Sequence, residues 1–120
     1  AQANRYFGGT QDNGTNSVNY SGAASTENWT MYIGGDGGFA AADPTDANFL
    51  YGEFQFLGIH RSSNGGVSAT PIYQNLPDSF ANTNFIAPFV LDPNNPRRLL
   101  AGGASLWASV DCRAPTVAWQ

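Results

Sequence analysis

The chain has 120 residues, 42% hydrophobic and 13% aromatic, enough apolar material for a core and too much for a disordered segment. Only 12% are charged, lysine is absent and the net charge is −4. This balance disfavours nucleic acid or an anionic membrane surface as partner, because both require a basic footprint. No apolar run reaches the ~20 residues of a membrane-spanning helix. A signal peptide is expected to be absent or already removed, and Cys112, the single cysteine, cannot form an internal disulfide.

Helical periodicity is missing, and Gly, Pro, Asn and Asp break the chain every ~8–12 residues, as in sandwiches and propellers. In chain order, Thr10-Gln11-Asp12-Asn13-Gly14-Thr15 reads as a tight turn between two strands. The stretch 16–28 carries no strong strand signal and reads as a connection. Sequons begin at Asn13, Asn19 and Asn28, and in so Asn- and Thr-rich a chain they arise easily by chance. Strands are predicted at 39–42, 49–54, 56–61 and 67–73, with an Asp43-Pro44 turn after the first and Ser62-Ser63-Asn64-Gly65-Gly66 after the third. A second connection covers 74–84. Strands at 85–91, 98–101, 105–108 and 116–119 follow, with Asp92-Pro93 and Ser109-Val110-Asp111-Cys112-Arg113 as their turns. In each Asp-Pro turn the carboxylate accepts from the amides just after it, while proline fixes φ at the first corner.

Two markers keep a common period. The hydroxyl-led turns start at Thr10, Ser62 and Ser109, in steps of 52 and 47 residues, and Asp43-Pro44 returns as Asp92-Pro93 after 49. Periods of ~40–50 residues indicate propeller blades, solenoids or arrays, and four short strands per period describe one blade. The expected fold is all-β: a partial β-propeller of about two four-stranded antiparallel blades plus part of a third. The expected division is 1–30 as the end of a blade and a connection, 31–80 as one blade and 81–120 as the next. Propellers close with ~4–8 blades, so the missing blades are expected from a longer parent chain or from an oligomer.

The pattern Ser/Thr-x-Asp-x-Gly at this spacing, with Tyr6-Phe7-Gly8-Gly9, Gly34-Gly35-Asp36-Gly37-Gly38 and Tyr51-Gly52-Glu53, resembles the Asp-box of BNR-repeat propellers. Sialidases, xyloglucan-cleaving glycosidases, sortilin-type receptors and photosystem assembly factors belong to that superfamily. The match is degenerate: Asn64 replaces the aspartate of the second copy, and Arg113 the glycine of the third. The resemblance implies that Asp12 and Asp111 are folding devices on the face away from ligand, on one rim with the Asp-Pro turns. It also implies a secreted or cell-surface protein, carbohydrate-active and glycoside hydrolase-like. The alternative is a non-catalytic propeller that binds a protein or glycan partner. Whether it is an enzyme stays open, since one fold hosts many functions.

The opposite rim is the expected ligand side. There Asp36 lies among four glycines that permit close backbone approach, and it is the first candidate catalytic carboxylate. Glu53 is the second, since glycosidases use two. Each also reads as an ordinary turn or strand-end residue. Gln55, Phe56, Trp29 and Asn84 are the candidate substrate-binding residues, the aromatics as stacking platforms for a sugar ring. No cofactor or metal is expected. His60 has no partner at ligand spacing, Asp43, Asp46 and Asn48 lack an EF-hand pattern, and the glycine cluster lacks the Gly-Lys-Ser/Thr of a phosphate loop.

Overall fold

The computed structural model describes residues 4–20, 22 and 28–120, and among these it contains ten β-strands and no helix. The first sheet has the order β1 (Arg5–Thr10), β2 (Gly14–Asn19) and β3 (Thr30–Ile33). The middle sheet is a four-stranded meander of β4 (Ala40–Ala42), β5 (Leu50–Phe54), β6 (Gly58–Ser62) and β7 (Thr70–Pro71). The third sheet comprises β8 (Phe89–Leu91), β9 (Leu99–Gly102) and β10 (Leu106–Ala108), and a single Ser109–Trp119 bridge continues it outward. Every pairing is antiparallel, so the all-β expectation holds.

The 49-residue period is written into the backbone hydrogen bonds. Asp43 N–H donates to Phe49 O at 3.0 Å, and Asp92 N–H to Arg98 O at 2.9 Å. The Glu53 N–H bond to Phe39 O recurs as Gly102 N–H to Pro88 O, and Gly65 N–H to Asn48 O returns as Cys112 N–H to Arg97 O, with the acceptor 49 residues on and the donor 47. The second and third hydroxyl-led turns therefore stand at the same place in their sheets, with different partners for their hydroxyls. Ser62 Oγ accepts from Gly66 N–H at 2.8 Å, and Ser109 Oγ accepts from Leu99 N–H at 2.8 Å. Asp111 accepts from Arg113 N–H and pairs with Arg97, which is turn chemistry.

The first copy is different, and here the expectation is corrected. The turn 11–13 joins Thr10 to Gly14, just as 55–57 joins Phe54 to Gly58 and 103–105 joins Gly102 to Leu106. It thus lies at the opposite end of the sheets from Ser62–Gly66, at the end with the glycine-rich loop, and Gly37 N–H donates to Thr10 O at 3.0 Å. Asn-Gly at the close of a three-residue hairpin loop answers the same demand for a tight turn as the hydroxyl-led motif, so the two read alike in one dimension.

Strand β5 shows how the sheets stack. Leu50, Tyr51, Gly52 and Glu53 are all buried, because alternate residues face different neighbours. Leu50 packs with Tyr32 and Ile33 of the first sheet, whereas Tyr51 packs with Phe89, Leu99 and Cys112 of the third. Other boundaries shift for local reasons. β6 begins at Gly58 instead of 56, because Phe56 and Leu57 have φ of 61° and 58°. The 85–91 strand shrinks to Phe89–Leu91, β2 runs into the supposed connection as far as Asn19, and Thr30–Ile33 pairs with β2.

At the Asp-Pro end, a buried ion pair ties the middle sheet to the third. Asp43 Oδ2 receives Arg113, and Asp43 Oδ1 accepts from Thr45 N–H at 2.8 Å and Asp46 N–H at 3.1 Å. The Arg113 guanidinium lies 4.6 Å from the centre of the Phe49 ring. Arg61 reinforces the joint by donating to the carbonyls of Cys112 and Ala114. Burial alone would raise the Asp43 carboxyl, but the hydrogen bonds from Arg113 and Thr45 outweigh it and hold the group below its ordinary value.

Removing one partner of such a pair strands the other. Asp43→Ala is therefore expected to lower the unfolding free energy by about 3–5 kcal/mol, read from urea midpoints. A carboxyl depressed in the fold contributes stability above its unfolded pKa of ~3.9 and loses it as pH falls through the folded value. Asp43→Asn should correspondingly lack part of the acid limb of the midpoint-versus-pH curve.

Candidate functional site at the glycine-rich end

The loop Gly34-Gly35-Asp36-Gly37-Gly38 runs from β3 to β4 and is clamped between two sheets. Its donors alternate in direction: Gly37 N–H goes to Thr10 O of the first sheet, and Gly38 N–H to Glu53 O of the middle one. Two glycines are dictated by space. A methyl on Gly37 would run into the Gly14 carbonyl, and one on Gly38 would lie 2.5 Å from Glu53 Oε1.

This clamp fixes Asp36 at both ends. Its N–H donates to Gln55 Oε1 at 3.2 Å, and its Oδ1 accepts from Asp12 N–H at 2.8 Å. Asp36 is half-buried, with Asp12 exposed beside it at φ 67°. The Asp12 carboxylate accepts no hydrogen bond from the described residues, so its expected role of capping its own turn is not seen there. The result is two neighbouring acidic side chains at the surface, one held by a backbone amide. Asp12 was missed as a site residue because it was read as a folding device; its signal was Asn13-Gly14, a hairpin mark.

Glu53 is at the same end but faces inward. It has no exposed surface, Oε1 accepts from Phe39 N–H at 3.0 Å, and Oε2 has no partner among the described residues. Gly38 covers it, with Ile86 against the same point. Burial drives its carboxyl up to about 7, against a smaller opposing effect of the Phe39 amide. Asp36 and Glu53 thus share a loop and not a cleft.

Beside the loop stands an aromatic ledge. Phe56 meets Phe85 edge-on at 5.3 Å between ring centres and Phe80 at 6.1 Å, and Phe54 lies 5.5 Å from Phe80 and 5.1 Å from His60. Phe80 and Phe85 are 50% and 42% exposed. Phe56 N–H donates to Phe85 O and Phe80 N–H to Phe56 O, so the backbone locks these rings together. Asn84 is exposed at the edge of the ledge. A cleft of about 380 Å³ opens next to it, lined by Tyr32, Gly35, Phe54, Gln55 and His60. His60 Nδ1 lies 2.9 Å from the Gly58 carbonyl. A carbonyl only accepts, so Nδ1 carries the proton. Burial holds this imidazole below its ordinary pKa, leaving Nε2 a neutral acceptor.

Trp29 is elsewhere. It is 55% exposed and lines a separate apolar cleft with Phe7, Gly8 and Asn16 that shares no lining residue with the Gln55 cleft. The structure therefore brings Asp36, Gln55 and Phe56 to one end with Asn84 at its margin, buries Glu53 beneath it and sets Trp29 apart. Phe80 was missed because it lies 25 residues from Gln55 in sequence. Among the described residues, no cluster of three or more His, Cys, Asp or Glu side chains has metal-holding geometry.

The Glu53 carboxyl makes a specific pH prediction. Its folded pKa is about 7, against ~4.3 for an unperturbed glutamate. The fold binds the extra proton, so stability should fall as pH rises between these values and level off above them. The loss should be roughly 4 kcal/mol, at about 1.4 kcal/mol per pH unit. Glu53→Gln should remove that decline and be the more stable form at alkaline pH, measured as urea midpoints across the range.

Searches against protein-family models, curated proteins and solved structures found no match to this chain.

Proposed function

We propose that the chain is a section of a secreted or cell-surface Asp-box β-propeller whose glycine-rich end binds neutral carbohydrate without cleaving it. The propeller part is supported by the 49-residue recurrence of the same backbone hydrogen bonds in two consecutive sheets. The binding part rests on one observation. Of the two candidate carboxylates only Asp36 reaches the surface, with one oxygen already held by the Asp12 amide.

A carboxylate held in place by a backbone donor presents its remaining lone pairs as acceptors for a sugar hydroxyl. Gln55 anchors the same loop, and Phe80 and Phe85 offer exposed ring faces for the apolar side of a pyranose. Two acidic side chains at the opening favour neutral over anionic sugars. The hydrolase reading draws on the raised Glu53 carboxyl, a mark of general acids. It requires two carboxyls flanking one bond at ~5–9.5 Å, and Glu53 is sealed beneath Gly38.

One experiment separates these readings. Neutral gluco- and galacto-oligosaccharides, α- and β-linked, are titrated into the isotope-labelled chain by NMR, and reducing ends are assayed in parallel. Binding is expected with no product, and Asp36→Asn and Phe80→Ala should each weaken it about ten-fold, one hydrogen bond to a charged group or one stacking contact. Product formation lost in Glu53→Gln would establish the hydrolase instead. Absence of both binding and product would sink the carbohydrate assignment.

A further inference from the structure

Five arginines supply all the side-chain cations other than histidine, and four of them are engaged. Arg97, Arg98 and Arg113 pair with Asp111, Asp92 and Asp43, and Arg61 donates to two carbonyls. Arg5 alone pairs with no carboxylate and donates to no carbonyl among the described residues; its Nε is buried without a hydrogen-bond partner there, as is that of Arg61. A guanidinium donor withdrawn from water and left unpaired destabilises a fold more than a neutral group does.

Its surroundings are shaped to hold it. Arg5 lines a cleft of about 570 Å³ at the Asp-Pro end, between the first and middle sheets, with Ser17, Asn19, Asn28 and Thr30. The opposite wall is the Gly65-Gly66 backbone, with φ of 72° and 81°. A methyl on Gly65 would lie 2.8 Å from Arg5 Nη1, and one on Gly66 would lie 3.2 Å from Nη2 and 2.9 Å from Ser17 Oγ. The glycine pair therefore leaves room for the guanidinium beside hydroxyl and amide groups. The Arg5 charge is also felt inside the sheet stack: burial pushes the Tyr32 hydroxyl up to about 12, and Arg5 opposes that rise.

We infer that this cleft is a binding site for a small hydroxylated monocarboxylate, a hydroxy acid or sugar acid, whose carboxylate is gripped by Arg5. The guanidinium fork matches two carboxylate oxygens, and Ser17, Thr30, Asn19 and Asn28 supply partners for the hydroxyls. A single positive charge among the lining residues matches one negative charge. A doubly charged phosphate would carry an unneutralised charge into a chain already at −4. The site is at the opposite end from Asp36 and stands independently of the function proposed there.

The test titrates glucuronate, glucose, inorganic phosphate and sodium chloride at matched ionic strength into the labelled chain, following the Arg5 Nε–H and the Gly65 and Gly66 amides by NMR. Saturable shifts are expected with glucuronate, weaker ones with phosphate and none that saturate with glucose or chloride. Arg5→Lys should weaken glucuronate about ten-fold through loss of the fork, Arg5→Met should abolish binding, and Asp36→Asn should leave it unchanged. If Arg5→Met does not fold, Arg5→Lys decides. Equal shifts with chloride, or glucuronate affinity unchanged in Arg5→Lys, would overturn the site. Silence with glucuronate in the wild type would overturn it as well.

Discussion

The arrangement depends on one contact of backbone with backbone. Gly37 and Gly38 press against Gly9, Gly14 and Glu53, at distances that exclude a Cβ at Gly9, Gly37 and Gly38. Only because the chain can approach itself this closely do Gly37 N–H and Gly38 N–H reach acceptors in two different sheets. The loop is the joint that sets the first hairpin on the middle sheet. Asp36 is carried at its apex, so the position of the surface carboxylate follows from the packing of the joint. The burial of Glu53 follows from the same cause, since Gly38 lies directly over it.

The second constraint is the economy of charge. With no lysine and few arginines, each cation has a distinct task. Arg113 holds Asp43 at the seam between the middle and third sheets, and Arg61 satisfies the turn carbonyls of Cys112 and Ala114 at the same seam. Removing these groups from water is compensated only where geometry provides several donors and acceptors at once, as Asp43 does with Thr45, Asp46 and Arg113. The consequence is a molecule with unlike ends. The glycine-rich end presents Asp12 and Asp36 beside phenyl rings, and the Asp-Pro end keeps Arg5 in a polar cleft. Two ends of opposite local charge favour different ligands, even though the same strands run between them.

Sequence pattern resolved the period and the Asp-Pro turns, because those are local: Asp43 and Asp92 make the same bonds to residues two positions on. It also resolved the middle sheet, whose strands alternate with strong turn residues. It misassigned the end of the molecule on which Thr10–Thr15 lies, since a hairpin ending in Asn-Gly and a hydroxyl-led turn draw on the same few residue types. Glu53 looked like a rim carboxylate because it ends a strand. Its burial is imposed by Gly38, fifteen residues earlier, and nothing in the spacing expresses that. Asp36 was legible from its glycines. Its bond to Asp12 spans 24 residues and was not.

Beside the Asp36 carboxylate, the ledge of phenyl rings gives a second physical argument that the glycine-rich end is more than a joint. Phe56, Leu57 and Phe80 all adopt the left-handed backbone region, at φ of 61°, 58° and 58°. For residues with a Cβ this conformation costs roughly 1–2 kcal/mol each, and glycine or asparagine would relieve it. The strain persists because the segment is over-determined: Phe80 N–H and Ser79 Oγ–H both donate to Phe56 O, and Phe56 N–H reaches Phe85 O. A turn that served only to reverse the chain would gain by shedding these side chains. Instead the strain holds Phe80 and Phe85 half in solvent, with no apolar partner on the outer side among the described residues. Exposed, rigid aromatic faces beside fixed hydrogen-bond acceptors are the combination that an amphipathic ring with hydroxyls at its rim requires.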